Sequence, residues 1–355
     1  MSLRYIGSRF GINNPWGKQE HYIVNSIQQQ IEKKFANENN LMLNMTWLGP
    51  QFGSDGPWGE LQNLIAAQEK FDNLFWSSPV DPLYISFDQM KEIEGQLNPT
   101  RIFYTGINLH GKYEYNTGAI ATMEDFPPYT VDQLEIKQIK HLYICYNRKP
   151  KPHRIVMVDK LYENNLQDHG IITLGKITDD RDYYTQGLTY KYLTINDPPE
   201  NYTFNGRYRV FKDFGDVPYD ISSLGRMDLW QGHFLNIVSE TICLPWDPIF
   251  VTEKTWKPIL GLRPFILNAQ TTIYQWLRDR GFKTFNQYFN GIEVEDVKEF
   301  EVQDSIIKVV KYLTTLSNSE LMAMYKDMMP ALIHNRQRFF EFAKEQQYKI
   351  DHLFE

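Results

Sequence analysis

At 355 residues the chain exceeds the usual size of one domain, so two domains, each with its own core, are the expectation. A formal net charge of −7 lacks the basic footprint of a dedicated nucleic-acid binder and argues against nucleic acid as the partner. No apolar run reaches the ~18 residues of a membrane span, and no signal pattern opens the chain. The two cysteines, Cys145 and Cys243, both fall in predicted strands, so buried thiols in a reducing, cytoplasmic setting are expected.

Residues 4–10 read as a first strand, followed by a turn rich in Gly, Asn and Pro. Tyr22, Ile23, Ile27 and Ile31 recur at helical spacing and predict a helix over 19–35. A strand over 41–48 leads into a long loop containing Asp55, then a helix over 60–70. A third strand over 74–79 ends at Asp81, and a helix over 87–97 and a strand over 101–105 complete an alternating pattern. That alternation predicts a mainly parallel sheet with helices on its faces. Residues 110–129 carry mixed turn signals, and the boundary of the N-terminal domain, 1–130, is placed there.

A second alternation starts at the strand 141–146, within a C-terminal domain assigned to 138–330. The next eight residues, 147–154, hold four fixed cations, Arg148, Lys149, Lys151 and Arg154, at the carboxyl end of that strand, where open α/β sheets bind ligands. A helix over 154–164, a cap at Gly170 and a strand over 171–174 follow, then a polar, tyrosine-rich region to about 230. Strands are predicted at 234–238, 265–267 and 284–285, with a helix at 274–281. The tail from 304 is helical, and its last part, 331–355, is expected to cross back to the first domain.

The stretch Phe250-Val251-Thr252-Glu253-Lys254 reads as a helix start. Thr252 is a good N-cap, Val251 and Trp256 suit a hydrophobic staple, and Gly261 suits a left-handed C-terminal cap. Lys254 is out of place there, because a helix N-terminus carries partial positive charge. A bound anion such as phosphate would reverse the sign, since free N–H groups and the ammonium would converge on it.

This stretch, with Gly261 and Pro264-Phe265-Ile266 behind it, resembles the donor-binding motif of α1,3-fucosyltransferase-type enzymes. Residues 234–240, a strand ending in Glu240, are similar to the family's preceding strand, with Thr241 where the family has Asn. The strand at 142–148 with His153 and Arg154 is similar to the opening of the same nucleotide-sugar domain, so the resemblance covers roughly 140–290. It implies a GT-B-type architecture: two Rossmann-like doubly wound domains facing across a cleft, with a C-terminal helical tail. It also implies a donor site in which Lys254, Arg154 and Arg148 contact a diphosphate. In that site Thr252 caps the helix, Glu253 holds ribose or sugar hydroxyls, and Glu240 holds the sugar or its developing positive charge. Eukaryotic members carry a membrane anchor, so this chain looks more like a bacterial or viral cytoplasmic enzyme.

A glycosyl transfer needs a neutralised leaving diphosphate and a base for the acceptor hydroxyl. Fixed cations supply the first without a metal or other cofactor. Asp55 and Asp81, at predicted carboxyl ends of strands, are the candidates for the base, and Trp47, Trp58 and Trp76 near them suit either sugar stacking or the core. Asp180-Arg181-Asp182 has the Asp-x-Asp form that holds a divalent ion in other glycosyltransferases, but no strand precedes it. The histidines lack ligand spacing. The expected function is therefore transfer of a sugar from a nucleotide-sugar, GDP-fucose-like by resemblance, to a glycan or other hydroxyl acceptor with inversion. The alternatives are a non-catalytic glycan- or nucleotide-binding protein, or a sugar transferase acting on phage DNA bases.

Overall fold

The computed structural model describes residues 3–7, 15–44, 56–78, 87–106, 115–147, 151–174, 202–204, 209–211, 224–241, 243, 249–298 and 301–355. The chain divides into two compact units, one of residues 1–124 with 343–355, the other of residues 125–342. Among the described residues each is an α/β body built on a four-stranded sheet whose strand pairs are all parallel.

In the first unit the elements run β1 (Leu3–Ile6), α1 (Pro15–Lys34), β2 (Asn40–Asn44), α2 (Pro57–Ala66), β3 (Asn73–Ser78), α3 (Phe87–Leu97), β4 (Arg101–Gly106) and α4 (Thr117–Asp125). Side chains alternate across the sheet, as strand geometry requires. Leu41, Leu43, Leu74 and Trp76 face Leu61 and Leu64 of α2 and Met90, Ile93 and Leu97 of α3. Met42, Phe75 and Phe103 face Ile23, Val24, Ile27 and Ile31 of α1, together with Ile350, Leu353 and Phe354 from the chain's end. Phe354 meets Phe35, Phe75 and Phe103 edge-on, with ring centroids 5.5–5.9 Å apart.

Strand order follows chain order, β1-β2-β3-β4, with no reversal, so this sheet is not wound in two directions. The crossovers through α1 and α2 step the same way but on opposite faces, so they are of opposite hand, against the usual right-handed rule. Tyr22 does not join the α1 stripe. It is 38 % exposed and donates its hydroxyl to Asp351 Oδ1 at 2.5 Å, while Val24, two residues later, takes the buried position. Trp76 is core, with its indole N–H on Glu94 Oε1 at 3.1 Å, and Trp58 packs on the same cluster.

The second unit runs α5 (Val131–Leu134), β5 (His141–Asn147), α6 (Pro152–Glu163), β6 (Gly170–Leu174), the hairpin strands β7 (Tyr202–Phe204) and β8 (Arg209–Phe211), and α7 (Met227–Trp230). It continues with β9 (His233–Ser239), α8 (Glu253–Leu260), β10 (Phe265–Asn268), α9 (Thr272–Asp279), α10 (Val302–Thr314) and α11 (Asn318–Asp351), whose residues from 343 on belong to the first unit. Strand order is β10-β9-β5-β6: the chain goes from β5 to β6 on one side, then returns to β9 and β10 on the other. The order therefore reverses between β5 and β9, and a crevice at their carboxyl ends is where open sheets take ligands. Trp256 of α8 packs among Trp276, Phe282, Phe339 and Phe342.

Several local expectations change. Gly170 opens β6 in extended conformation and caps the short 3-10 turn Gln167–His169, not α6; a Cβ there would lie 2.5 Å from the Tyr143 ring. Gly261 has φ −89, and the left-handed residue is Leu262, φ 53. Gly261 is needed for space, because a Cβ would meet the Trp230 ring at 2.2 Å. Residues 284–285 form no strand: side chains take over, with Lys283 N–H on Asn335 Oδ1 at 2.7 Å and Thr284 Oγ1 on Glu295 Oε2 at 3.0 Å. Cys145 is buried in β5, whereas Cys243 lies in no strand. Among the described residues no helix is long and apolar enough to cross a membrane.

Candidate functional site

The carboxyl ends of β5 and β9 each feed a helix, and both helix starts carry the chemistry. Of the residues singled out in the sequence, the fold gathers Arg154, Glu240, Thr252, Glu253 and Lys254 here. Asp55, Asp81, Arg148, Trp47, Asp180 and Asp182 lie outside the described residues.

Glu240 follows β9 directly and is wholly buried. Its Oε1 accepts from the Thr252 N–H at 3.0 Å and Thr255 Oγ1 at 2.6 Å, and its Oε2 from Thr252 Oγ1 at 2.6 Å and the Thr241 N–H at 3.2 Å. A carboxylate has about four lone-pair sites, so the group is filled by the start of α8 and its charge complements the N-terminal dipole. That geometry gives Glu240 the task of positioning the helix rather than of touching a sugar. Thr252 is the N-cap, accepting weakly from the Lys254 N–H at 3.4 Å.

The Lys254 ammonium reaches Glu253 Oε1 at 2.8 Å, Thr241 Oγ1 at 3.1 Å and Thr252 Oγ1 at 3.1 Å. Its side chain is 31 % exposed and that of Glu253 is 17 % exposed. Burial would raise the Glu253 carboxyl, but the charge and hydrogen bond of Lys254, with Lys257 beyond, bring it down to about 2. Glu253 is therefore an anion at any physiological pH.

From the other side, the first turn of α6, opened by Pro152 at its first position, grips the turn after β9. Lys151 Nζ donates to Thr241 O at 2.8 Å, His153 Nε2 lies 2.9 Å from Glu240 O, and an Arg154 amine donates to the same carbonyl at 2.9 Å. A carbonyl only accepts, so His153 carries its proton on Nε2. Burial, then the charges of Arg154, Lys151 and Lys254, hold its pKa down to about 3 despite that bond, so the ring is neutral. Arg154 is 4 % exposed and binds main-chain carbonyls, which makes it a brace; Lys151 and Lys254 are the half-buried cations. Behind them, Asn268 Nδ2 donates to His153 O at 3.1 Å and Ser239 Oγ at 3.0 Å, and Gln303 Nε2 donates to Asn268 Oδ1 at 2.8 Å.

The site can thus present two ammonium groups, a helix N-terminus and one accepting carboxylate to a ligand. Sequence reasoning missed Thr255, though Thr252-x-x-Thr255 is the spacing that turns two hydroxyls to one helix start. It also passed over Asn268 and Gln303, which carry no motif, gave His153 no role beyond its place in the basic turn, and took Thr241 only as a departure from a family pattern. Among the described residues no group of three or more His, Cys, Asp and Glu is placed to hold a metal ion. No protein-family model, no curated protein and no solved structure matches this chain.

Proposed function

We propose that the second unit binds a nucleotide-sugar at the carboxyl ends of β5 and β9, and that the chain is a GT-B-type, fucosyltransferase-like glycosyltransferase. The observation that carries this reading is the placement of Lys254, Glu253, Thr252 and Lys151 together at the point where strand order reverses. Lys254 and Lys151 would neutralise the diphosphate, with the α8 N-terminus behind them. Glu253 would accept bonds from donor hydroxyls. Glu240 and Arg154 would hold the two helix starts in register.

In the reaction the bond between the anomeric carbon and the diphosphate oxygen breaks, and a bond to the acceptor oxygen forms from the opposite face. The acceptor's proton goes to a carboxylate base, for which Asp55 and Asp81 are the candidates from the sequence. The acceptor is a glycan or another small hydroxyl compound. Because fixed cations take the leaving charge, transfer survives EDTA; complete loss, restored by manganese or magnesium, would point to Asp180 and Asp182.

A thermal-shift screen against GDP-, UDP- and TDP-sugars tests the reading. One class of donor raises the unfolding midpoint, since a ligand at 100 times its Kd stabilises by about 2.7 kcal/mol. No shift with any donor overturns it. The closed arrangement around Glu240 favours a second reading, a nucleotide- or glycan-binding protein without turnover. It would show the same shift but no release of nucleoside diphosphate with any acceptor.

A further inference from the structure

An ammonium group has three protons to donate, and Lys254 already has three acceptors. They are Glu253 Oε1 at 2.8 Å and the hydroxyls of Thr241 and Thr252, each at 3.1 Å. The cation expected to meet a phosphate is therefore saturated from within the chain. Any anion that reaches it must displace an acceptor. Two of the three are neutral hydroxyls that tolerate a phosphate beside them. The third is a carboxylate that does not.

Glu253 has few places to go. Its side chain is 17 % exposed, and its other neighbouring cation, Lys257, lies one helical turn along. Deprived of Lys254 and set beside a phosphate, the carboxylate would face a like charge in a partly desolvated place. A carboxylate accepts hydrogen bonds and donates none. A ligand compensates for the lost ion pair only if it brings O–H or N–H donors to Glu253 along with its phosphate. Fully ionised phosphate and pyrophosphate bring none, and the one acidic P–O–H that either keeps near neutral pH sits on a group that is still an anion beside the carboxylate.

We propose that Glu253 is an internal counter-ion that keeps bare phosphate and pyrophosphate out of the Lys254 site, and yields only to a phosphate ester with hydroxyl donors next to the phosphate. Selectivity here comes from a repulsive element as much as from attraction. The nucleotide-sugar reading enters at one point only, the identity of the ligand admitted.

The test is calorimetric titration of inorganic pyrophosphate, GDP and UDP into the full chain. It uses wild type, Glu253→Gln, Glu253→Ala, and Glu253→Gln combined with Lys254→Ala. Two different side chains at 253 guard against one variant failing to fold, and thermal melts check each. Pyrophosphate affinity is expected to rise at least ten-fold in both single variants and to fall back in the double variant. Equal pyrophosphate affinity in wild type and the folded single variants overturns the proposal. A wild type that binds neither GDP nor UDP, with variants that gain pyrophosphate, upholds the counter-ion and overturns the nucleotide reading.

Discussion

The Glu240 carboxylate, at the end of β9, accepts the hydroxyl of Thr252 at 2.6 Å and its backbone N–H at 3.0 Å, so strand and helix are joined by one side chain. Removing it strands four donors in a buried place, at a cost of about 1–3 kcal/mol for such a loss, more where the lost partner is charged. Glu240→Ala is accordingly expected to lower unfolding free energy by about 3 kcal/mol or more in urea denaturation. A loss below about 1 kcal/mol would show that α8 holds its place without this contact.

Gly261 supports the same helix from its other end. A Cβ would stand 2.2 Å from the Trp230 ring, whose indole N–H donates to the Gly261 carbonyl at 2.9 Å. Gly261→Ala is expected to cost roughly 1–3 kcal/mol by overpacking. In a double-mutant cycle with Trp230→Leu the two costs are not additive, because the smaller side chain removes the clash. Additive costs would place the strain elsewhere.

Acid should weaken the fold in two steps. His233, wholly buried, is held at about 3 by burial and then by the charge of Arg263, and His153 is also held at about 3; the ordinary value is 6.5. Below pH 6.5 the unfolded chain binds protons that the native rings refuse until about pH 3, so stability is full above 6.5 and falls as pH drops. Glu253, lowered from 4.5 to about 2, adds to the loss only below 4.5. The unfolding midpoint is expected to fall between pH 7 and 5, and to fall less steeply in His153→Gln. Equal slopes in the two proteins would contradict the neutral, buried ring.

The alternation of elements was legible because each strand is a short apolar run between polar turns. Helix 87–97 and the strands at 101, 141, 233 and 265 fall within a residue or two of their expected places. The N-cap at Thr252 was legible too, since its chemistry is local. What escaped is long-range. Tyr22 follows helical spacing but bonds Asp351, 329 residues away, and Gly261 looked like a chiral cap when its reason is the Trp230 ring. Helix α4 was hidden by Asn116, whose side chain accepts the Ala119 N–H at 2.8 Å within a stretch that otherwise reads as turns. At the site, the charge of Arg154 was visible but its burial was not, and burial makes it a brace.

The most direct measurement of the central claim is calorimetric titration of GDP and UDP into wild type and Lys254→Ala. If the ammonium meets the diphosphate, one nucleotide binds wild type and loses about 1.5–3 kcal/mol of binding free energy in the variant, the scale of a hydrogen bond to a charged group. The free variant should lose stability, since the partly buried Glu253 carboxylate loses the ion pair and hydrogen bond that hold it down to about 2. Equal affinities of the two proteins for both nucleotides would contradict the account.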